Sequence, residues 1–412
     1  MSERTTCVVA GGGPAGMVLG LLLARAGVEV TVLEKHADFL RDFRGDTVHP
    51  TTIDLLDELG LGKRFAALPQ SRLDKVTFPM PDGGELVVGD LRRLDVPHPY
   101  IAMVPQWDFL DLLADAARAE PTFTLRMNTE VTDLLRERGA VRGVRCRTRD
   151  GTEGELRADL TVGADGRWSL VRRRSGLRPK EAPVPFDVWW FRLPRRESDP
   201  AGMLMPAMRN RQFAVVIPRE GYYQIAYIGA KGADAGLRAE GIASFRARIA
   251  RLMPALADRV DALESMDDVK HLDVRMNRLR RWHADGVLCL GDAAHAMSPL
   301  GGVGINLAVQ DAVAAAHLLA EPLRAGRLTG ADLAKVHRRR WLPTVAVQGL
   351  QRLLHRVIVE PVMAGRREGP PRPLVRLLGA VPKLSFVPAY LIGVGVRPER
   401  APAFARRPPP GC

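Results

Sequence analysis

The chain has 412 residues, 46% of them hydrophobic, enough to bury a sizeable core in two or three domains. Of its net charge of +13, residues 321–412 account for nearly all, with 17 Lys/Arg against five Asp/Glu, so the remainder is close to neutral and nucleic-acid binding is not expected. Cys7, Cys146, Cys289 and Cys412 show no metal-ligand or C-x-x-C spacing, and no secretory signal precedes the first apolar run, so a reduced, cytoplasmic setting without metal or disulfides is expected.

Cys7–Ala10 reads as a short buried strand. Gly11, Gly13 and Gly16 then form G-x-G-x-x-G around Pro14 and Ala15, and Met17–Ala26 continues as an apolar helix ended by Gly27. Gly11 permits a tight turn, Gly13 lets the backbone approach a pyrophosphate, and Gly16 lets helix and strand pack closely. Val28–Leu33 is a second strand, with Glu34 at its end, where a carboxylate can bind ribose hydroxyls.

Further along, Phe43-Arg44-Gly45-Asp46 precedes a helix, and Pro105-Gln106 opens another from about Trp107 to Ala119. Gly163-Ala164-Asp165-Gly166-Arg167 is a second glycine/aspartate turn. Gln212–Pro218 and Tyr222–Ile228 read as strands joined by a Pro/Gly turn, followed by a helix over Ile242–Met253. The strand Val287–Leu290 delivers a third turn, Gly291-Asp292-Ala293-Ala294-His295, which places the Asp292 carboxylate at a strand's carboxyl end. His295 reads as a packed, hydrogen-bonding histidine. The segment Pro299-Leu300-Gly301-Gly302-Val303-Gly304-Ile305-Asn306 then leads into a helix. Three such turns beside apolar strands suggest one long cofactor held along its length.

In this ordered set the chain resembles the class A flavoprotein monooxygenases, the para-hydroxybenzoate hydroxylase-like family, over roughly its first four-fifths. The resemblance implies an α/β fold: a Rossmann-like FAD-binding domain from 1–74, 97–181 and 274–320, and an inserted β-sheet substrate domain from 75–96 and 182–273. Residues 321–412 would be a basic C-terminal helical segment with a Pro-rich tail. The same resemblance places Gly11, Gly13, Pro14, Ala15 and Gly16 at the FAD pyrophosphate, Glu34 at the adenosine ribose, and Arg44 and Gln106 at the middle of the cofactor. Asp292 would bind the ribityl chain. Gly302, Gly304 and Asn306 would set a helix amino terminus near the flavin's pyrimidine edge. Asp165 belongs to a motif linked to both FAD and nicotinamide binding. Val303 stands where the family often has Gln.

The activity so implied is reduction of FAD by NAD(P)H, addition of O2 to give a flavin C4a-hydroperoxide, and transfer of one oxygen atom to an organic substrate, aromatic or polycyclic. No second G-x-G-x-x-G is present, as suits transient nicotinamide binding. No catalytic base stands out: His49 and Tyr223 can titrate or hydrogen-bond, and both read more readily as structural. Competing readings are a halogenase, a lipid-type reductase or desaturase, and a flavin-binding protein without turnover. Trp189-Trp190-Phe191-Arg192-Leu193-Pro194 only partly echoes the halogenase pattern W-x-W-x-I-P. The basic tail is expected to cap the FAD domain outside the cofactor site and to end loosely. Weak contact with an anionic membrane or an acidic partner is the alternative.

Overall fold

The computed structural model describes residues 3–40, 47–79, 85–199, 205–209, 211–367 and 371–408. Its main sheet runs in the order His283–Ala284, Val287–Cys289, Glu153–Gly163, Glu3–Ala10, Val30–Leu33, Phe123–Arg126, all parallel but the antiparallel edge strand His283–Ala284. The antiparallel strands Thr129–Glu137 and Ala140–Thr148 extend it beside Glu153–Gly163. Register decides what this sheet can hold. Ala10 pairs with Leu33 on one side and Gly163 on the other, and Gly163 pairs with Cys289. Four strands therefore end level, and the turns that follow lie side by side at their carboxyl ends, where open α/β sheets bind ligands.

The first strand is longer than the apolar run suggests, Glu3–Ala10, because a parallel partner at 156–163 extends the pairing into polar residues. The helix Pro14–Arg25 begins at once after the turn, with Pro14 in its first turn where a missing N–H costs nothing. Ten of its twelve residues are buried, packed against the helix Gly304–Arg324 and the helix Gln106–Arg118. Cys7 and Cys289 are wholly buried in this core, and burial pushes both thiols up, so they pack as small apolar groups.

The second sheet is antiparallel, ordered Met205–Arg209, Gln212–Pro218, Tyr222–Ala230, Phe186–Pro194, Lys270–Leu272. Strand alternation splits its side chains between two faces. Trp189, Phe191, Tyr223 and Tyr227 pack beneath the helix Asp234–Leu252. That helix starts eight residues earlier than expected from the sequence; Gly241, at φ 78° and ψ 171°, breaks it where a continuous pattern would begin.

The C-terminal segment comprises the helices Gly330–Leu354, Glu360–Met363, Arg372–Ala380 and Phe386–Gly393. Its end is not loose up to Arg407. Arg339 grips Glu399 through two bonds of 2.7 Å, the Ala401 amide donates to Glu58 at 2.6 Å, and Arg25 donates to the Ala405 carbonyl at 2.8 Å. Ala401 and Ala405 are buried in the main core. Small side chains and prolines let this return, with its 3-10 turn Ala403–Ala405, lie close against the helices 14–25 and 50–58, which composition alone does not reveal.

Candidate functional site

One cavity of about 1130 Å³ runs from the level strand ends of the main sheet to the second sheet. At its first end lie Gly11, Gly12, Gly13, Pro14, Ala15 and Glu34. Gly11 adopts a φ of 105°, and a Cβ there would overlap the Ala164 carbonyl, so both its backbone and its surroundings call for glycine. A Cβ on Gly16 would strike the Gly11 carbonyl group, so Gly16 serves the closeness of helix and strand and does not itself line the cavity. Gly13 differs from both. Its φ of −74° and ψ of −178° suit any residue, and a Cβ there would meet no protein atom within 4 Å. The space before Gly13 is thus a cradle, opposite the unsatisfied amides and positive end of the helix 14–25.

The buried Glu34 carboxylate accepts from the Gly12 amide at 2.9 Å and from the His36 amide at 3.1 Å. It fixes the turn while bordering the cavity. Gln106 opens its helix without capping it and borders the cavity too. Arg44, with its Phe43–Asp46 motif, lies outside the described residues.

Asp165 is largely a turn-builder. One carboxylate oxygen accepts the Leu170 and Val171 amides at 2.7 and 3.1 Å, capping the helix Leu170–Arg174. Burial outweighs these bonds and pushes its carboxyl up. Gly166 and Arg167 follow it along the cavity wall.

Asp292 opens the short helix Asp292–His295 and projects at the cavity with one third of its side chain exposed. Arg167 donates to it at 3.4 Å and to the Asp273 carbonyl at 3.2 Å, and Arg172 props this arrangement by donating to the carbonyls of Ala293 and Arg167. Sequence reasoning named neither arginine as a site residue. Only the Arg167 position beside the second turn hinted at one.

Beneath Gly291 lies a buried ionic chain that sequence reasoning also missed. Asp311 accepts from His295 Nε2 at 2.5 Å, from Arg340 Nε at 2.9 Å and from the Gly291 amide at 3.3 Å. Burial raises its carboxyl, but the charges and bonds of His295 and Arg340 outweigh that and hold it below the usual range. Arg340 also reaches Glu399 at 3.5 Å. His295 is thus the packed hydrogen-bonding residue expected.

Gly301, Gly302 and Gly304 border the cavity ahead of the helix Gly304–Arg324, while Val303 turns away and packs with Met297, Leu307 and Val347. Asn306 is not on the cavity wall. Its side-chain oxygen accepts the hydroxyls of Thr51 and Thr52 at 2.9 and 2.7 Å, tying two helices together. His49 is fully buried between two carbonyls, Ile392 at 2.8 Å from Nδ1 and Gly302 at 3.0 Å from Nε2. Burial lowers its pKa to about 4, and it does not reach the cavity. Tyr223 sits on the face of the second sheet turned away from the cavity, beside Arg259. Neither candidate base is at the site.

The other half of the cavity is apolar. Val188, Trp190, Phe213, Val215, Ala226 and Ile228 wall it from the second sheet. Trp189, adjacent in sequence, points the other way and donates to Asp234 at 2.8 Å, so the tryptophan pair reflects strand alternation. Arg219 and Gln224, joined by bonds of 3.0 and 2.9 Å, are the polar pair of this chamber. The C-terminal segment closes it: Leu354, Ile358, Pro388, Ala389 and Ile392 are wall residues.

A family model described as an FAD binding domain matches residues 4–345. The chain belongs to this family of FAD-dependent monooxygenases. The 6-methylpretetramide 4-monooxygenase of Streptomyces rimosus is 36% identical over 94% of this chain and 90% of its own length. The rifampicin monooxygenase of Streptomyces venezuelae is 28% identical, and this chain spans 62% of it. Among solved structures, the OxyS anhydrotetracycline hydroxylase of Streptomyces rimosus superposes with a TM-score of 0.77 at 26% identity, over 99% of this chain and 80% of that one. The p-nitrophenol 4-monooxygenase of Pseudomonas putida shares the fold with a TM-score of 0.76 at 20% identity, over 96% of this chain and all of that one. This flavoprotein monooxygenase therefore uses FAD, with NAD(P)H as reductant, to oxygenate a small organic substrate.

Proposed function

We propose that the substrate is a polycyclic aromatic compound, hydroxylated where the cofactor end of the cavity meets the apolar chamber. The observation that carries this reading is the continuity of the two halves in one space of about 1130 Å³. Relatives named for 6-methylpretetramide and anhydrotetracycline support a substrate of that class.

In this reading Gly11–Ala15 face the pyrophosphate, Gly16 lets the helix and strand behind them pack closely, Glu34 faces the ribose, and Asp292, steadied by Arg167, the ribityl chain. Gln106 and the Asp165 turn border the middle of the cofactor. The cradle before Gly13 is what fits the group: open space, allowed backbone and a helix amino end together. FAD held there would supply the redox chemistry that, with NAD(P)H as electron donor, puts one atom of O2 into the substrate and releases the other as water. The protein's residues position and shield. The amino end of the helix Gly304–Arg324 stabilises negative charge near Gly302 and Gly304. The aliphatic walls exclude water, and Arg219 with Gln224 orients a polar oxygen of the substrate. The partition into 1–74, 97–181 and 274–320 for the cofactor and 75–96 and 182–273 for the substrate is supported by the five-stranded sheet, whose strands all fall within 182–273, being separate from the main sheet.

The test is NADPH oxidation with a panel of polycyclic phenols, followed by product mass. Gain of one oxygen is expected. Gain of a halogen, a change of two hydrogens, or cofactor oxidation without product from every panel member would overturn the assignment in favour of a halogenase, a reductase or desaturase, or a flavoprotein without this turnover.

A further inference from the structure

The helix Phe386–Gly393 has two apolar sides. Inward, Pro388, Ala389 and Ile392 wall the substrate chamber, and Gly393 packs so closely that a Cβ there would approach Leu91 to 2.9 Å. Outward, Phe386, Val387 and Tyr390 are exposed, the rings of Phe386 and Tyr390 lying 5.7 Å apart. The helix Arg372–Ala380 and the turn Pro382–Ser385 pack on the same strand, Glu85–Asp90, and leave Leu377, Val381 and Leu384 exposed beside them. Among the described residues ten large hydrophobic side chains are exposed, and these six fall within fourteen consecutive positions. Scattered apolar residues need no explanation, but a concentration of this kind does.

Charge narrows what can cover it. From Gly369 to Pro398 the sequence contains no Asp or Glu, while Arg372, Arg376, Lys383 and Arg397 supply only positive charge. Arg376 and Lys383 are exposed next to the apolar residues. Aromatic and aliphatic side chains interleaved with cations, on short helices lying along a surface, match an anionic lipid interface. Among the described residues no helix is long and apolar enough to cross a bilayer. Attachment from one side is the mode that remains available to these helices.

We propose that residues 372–393 seat this protein on an anionic membrane surface, which places the outer wall of the substrate chamber against the lipid. The proposal concerns the surface and stands whether or not the polycyclic substrate assignment holds. An apolar substrate dissolved in the bilayer would then meet the enzyme across a single helix.

The test uses the FAD-loaded full chain with vesicles of phosphatidylcholine alone or mixed with phosphatidylglycerol, followed by flotation. Binding to the mixed vesicles at low salt, loss at high salt and weak binding to phosphatidylcholine are expected. Each basic residue near such a surface contributes about fivefold, so Arg376→Ser with Lys383→Ser should weaken partitioning roughly thirtyfold. Phe386→Ser with Val387→Ser should lower it at every salt concentration. All four positions are exposed, so each variant should keep its flavin absorbance and melting temperature, which checks the fold. No binding to mixed vesicles at low salt, or binding indifferent to both double variants, would overturn the proposal. So would a dimer in light scattering that Phe386→Ser with Val387→Ser dissociates, because a second copy would then be what covers the patch.

Discussion

Gly13→Val separates cofactor recognition from folding, and its size follows from the geometry. The backbone at Gly13 is in a region open to any residue, and a Cβ there meets no protein atom within 4 Å. The cofactor-free protein should therefore lose no more than about 1 kcal/mol, the range for changes at a helix N-cap. With FAD the outcome differs. A branched side chain in the cradle holds the pyrophosphate beyond hydrogen-bond reach of the helix amides. Two charge-assisted bonds at about 1.5–3 kcal/mol each give a loss of roughly 3–6 kcal/mol, or a factor of about 10²–10⁴ in affinity. Gly16→Ala is the control. Its Cβ would strike the Gly11 carbonyl oxygen and stand 3.2 Å from that carbonyl's carbon. Overpacking of backbone against backbone should cost about 1–3 kcal/mol of stability or more. The assay is FAD titration of deflavinated protein by fluorescence quenching, paired with thermal melts of the same samples. If Gly13→Val binds FAD as tightly as the parent, or if its cofactor-free form melts as low as Gly16→Ala, the division of roles between these two glycines is wrong.

Asp292→Ala should weaken FAD binding by on the order of 1.5–3 kcal/mol while the deflavinated protein keeps its melting temperature; unchanged affinity would make Asp292 a partner of Arg167 only. Arg340→Met should cost about 3–5 kcal/mol in denaturant unfolding because it strips a buried cation from Asp311 and Glu399. Deleting the residues after Arg397 should likewise lower the melting temperature, since Glu399 and the Ala401 and Ala405 anchors go with them; a melt equal to the parent's would show that these contacts carry no stability. His49 has a folded-state pKa near 4 against an ordinary 6.5, so its neutral form favours the fold. The stability it contributes is present above pH 6.5 and is lost as pH falls through 6.5 towards 4, up to about 3 kcal/mol. His49→Gln should flatten melting temperature against pH across that window; an unchanged slope would refute the assignment.

The glycine turns were legible because their demands are local. A left-handed φ at Gly11, an unobstructed Gly13 and a carboxylate at the end of an apolar strand each need only a few neighbouring residues. The level strand ends at Ala10, Leu33, Gly163 and Cys289 then brought together turns that the sequence shows merely in order. Strands were legible at 212–218 and 222–228, but which of their side chains face the cavity was not. Whether Tyr223 or Gln224 faces the cavity depends on which side of the second sheet meets the flavin-binding sheet, a packing choice between distant segments. The same holds for Asn306, drawn off by Thr51 and Thr52, and for His49, held between Gly302 and Ile392. Arg167, Asp311 and Arg340 could not be found from spacing, because their charges acquire meaning only when burial removes water and leaves each other as partners. Composition marked the C-terminal segment as basic and apolar. Only the tertiary structure decided that one side of it walls the chamber while the other stays exposed, since that depends on how the helix 386–393 docks on Leu91 and Leu94, which Gly393 lets it approach closely.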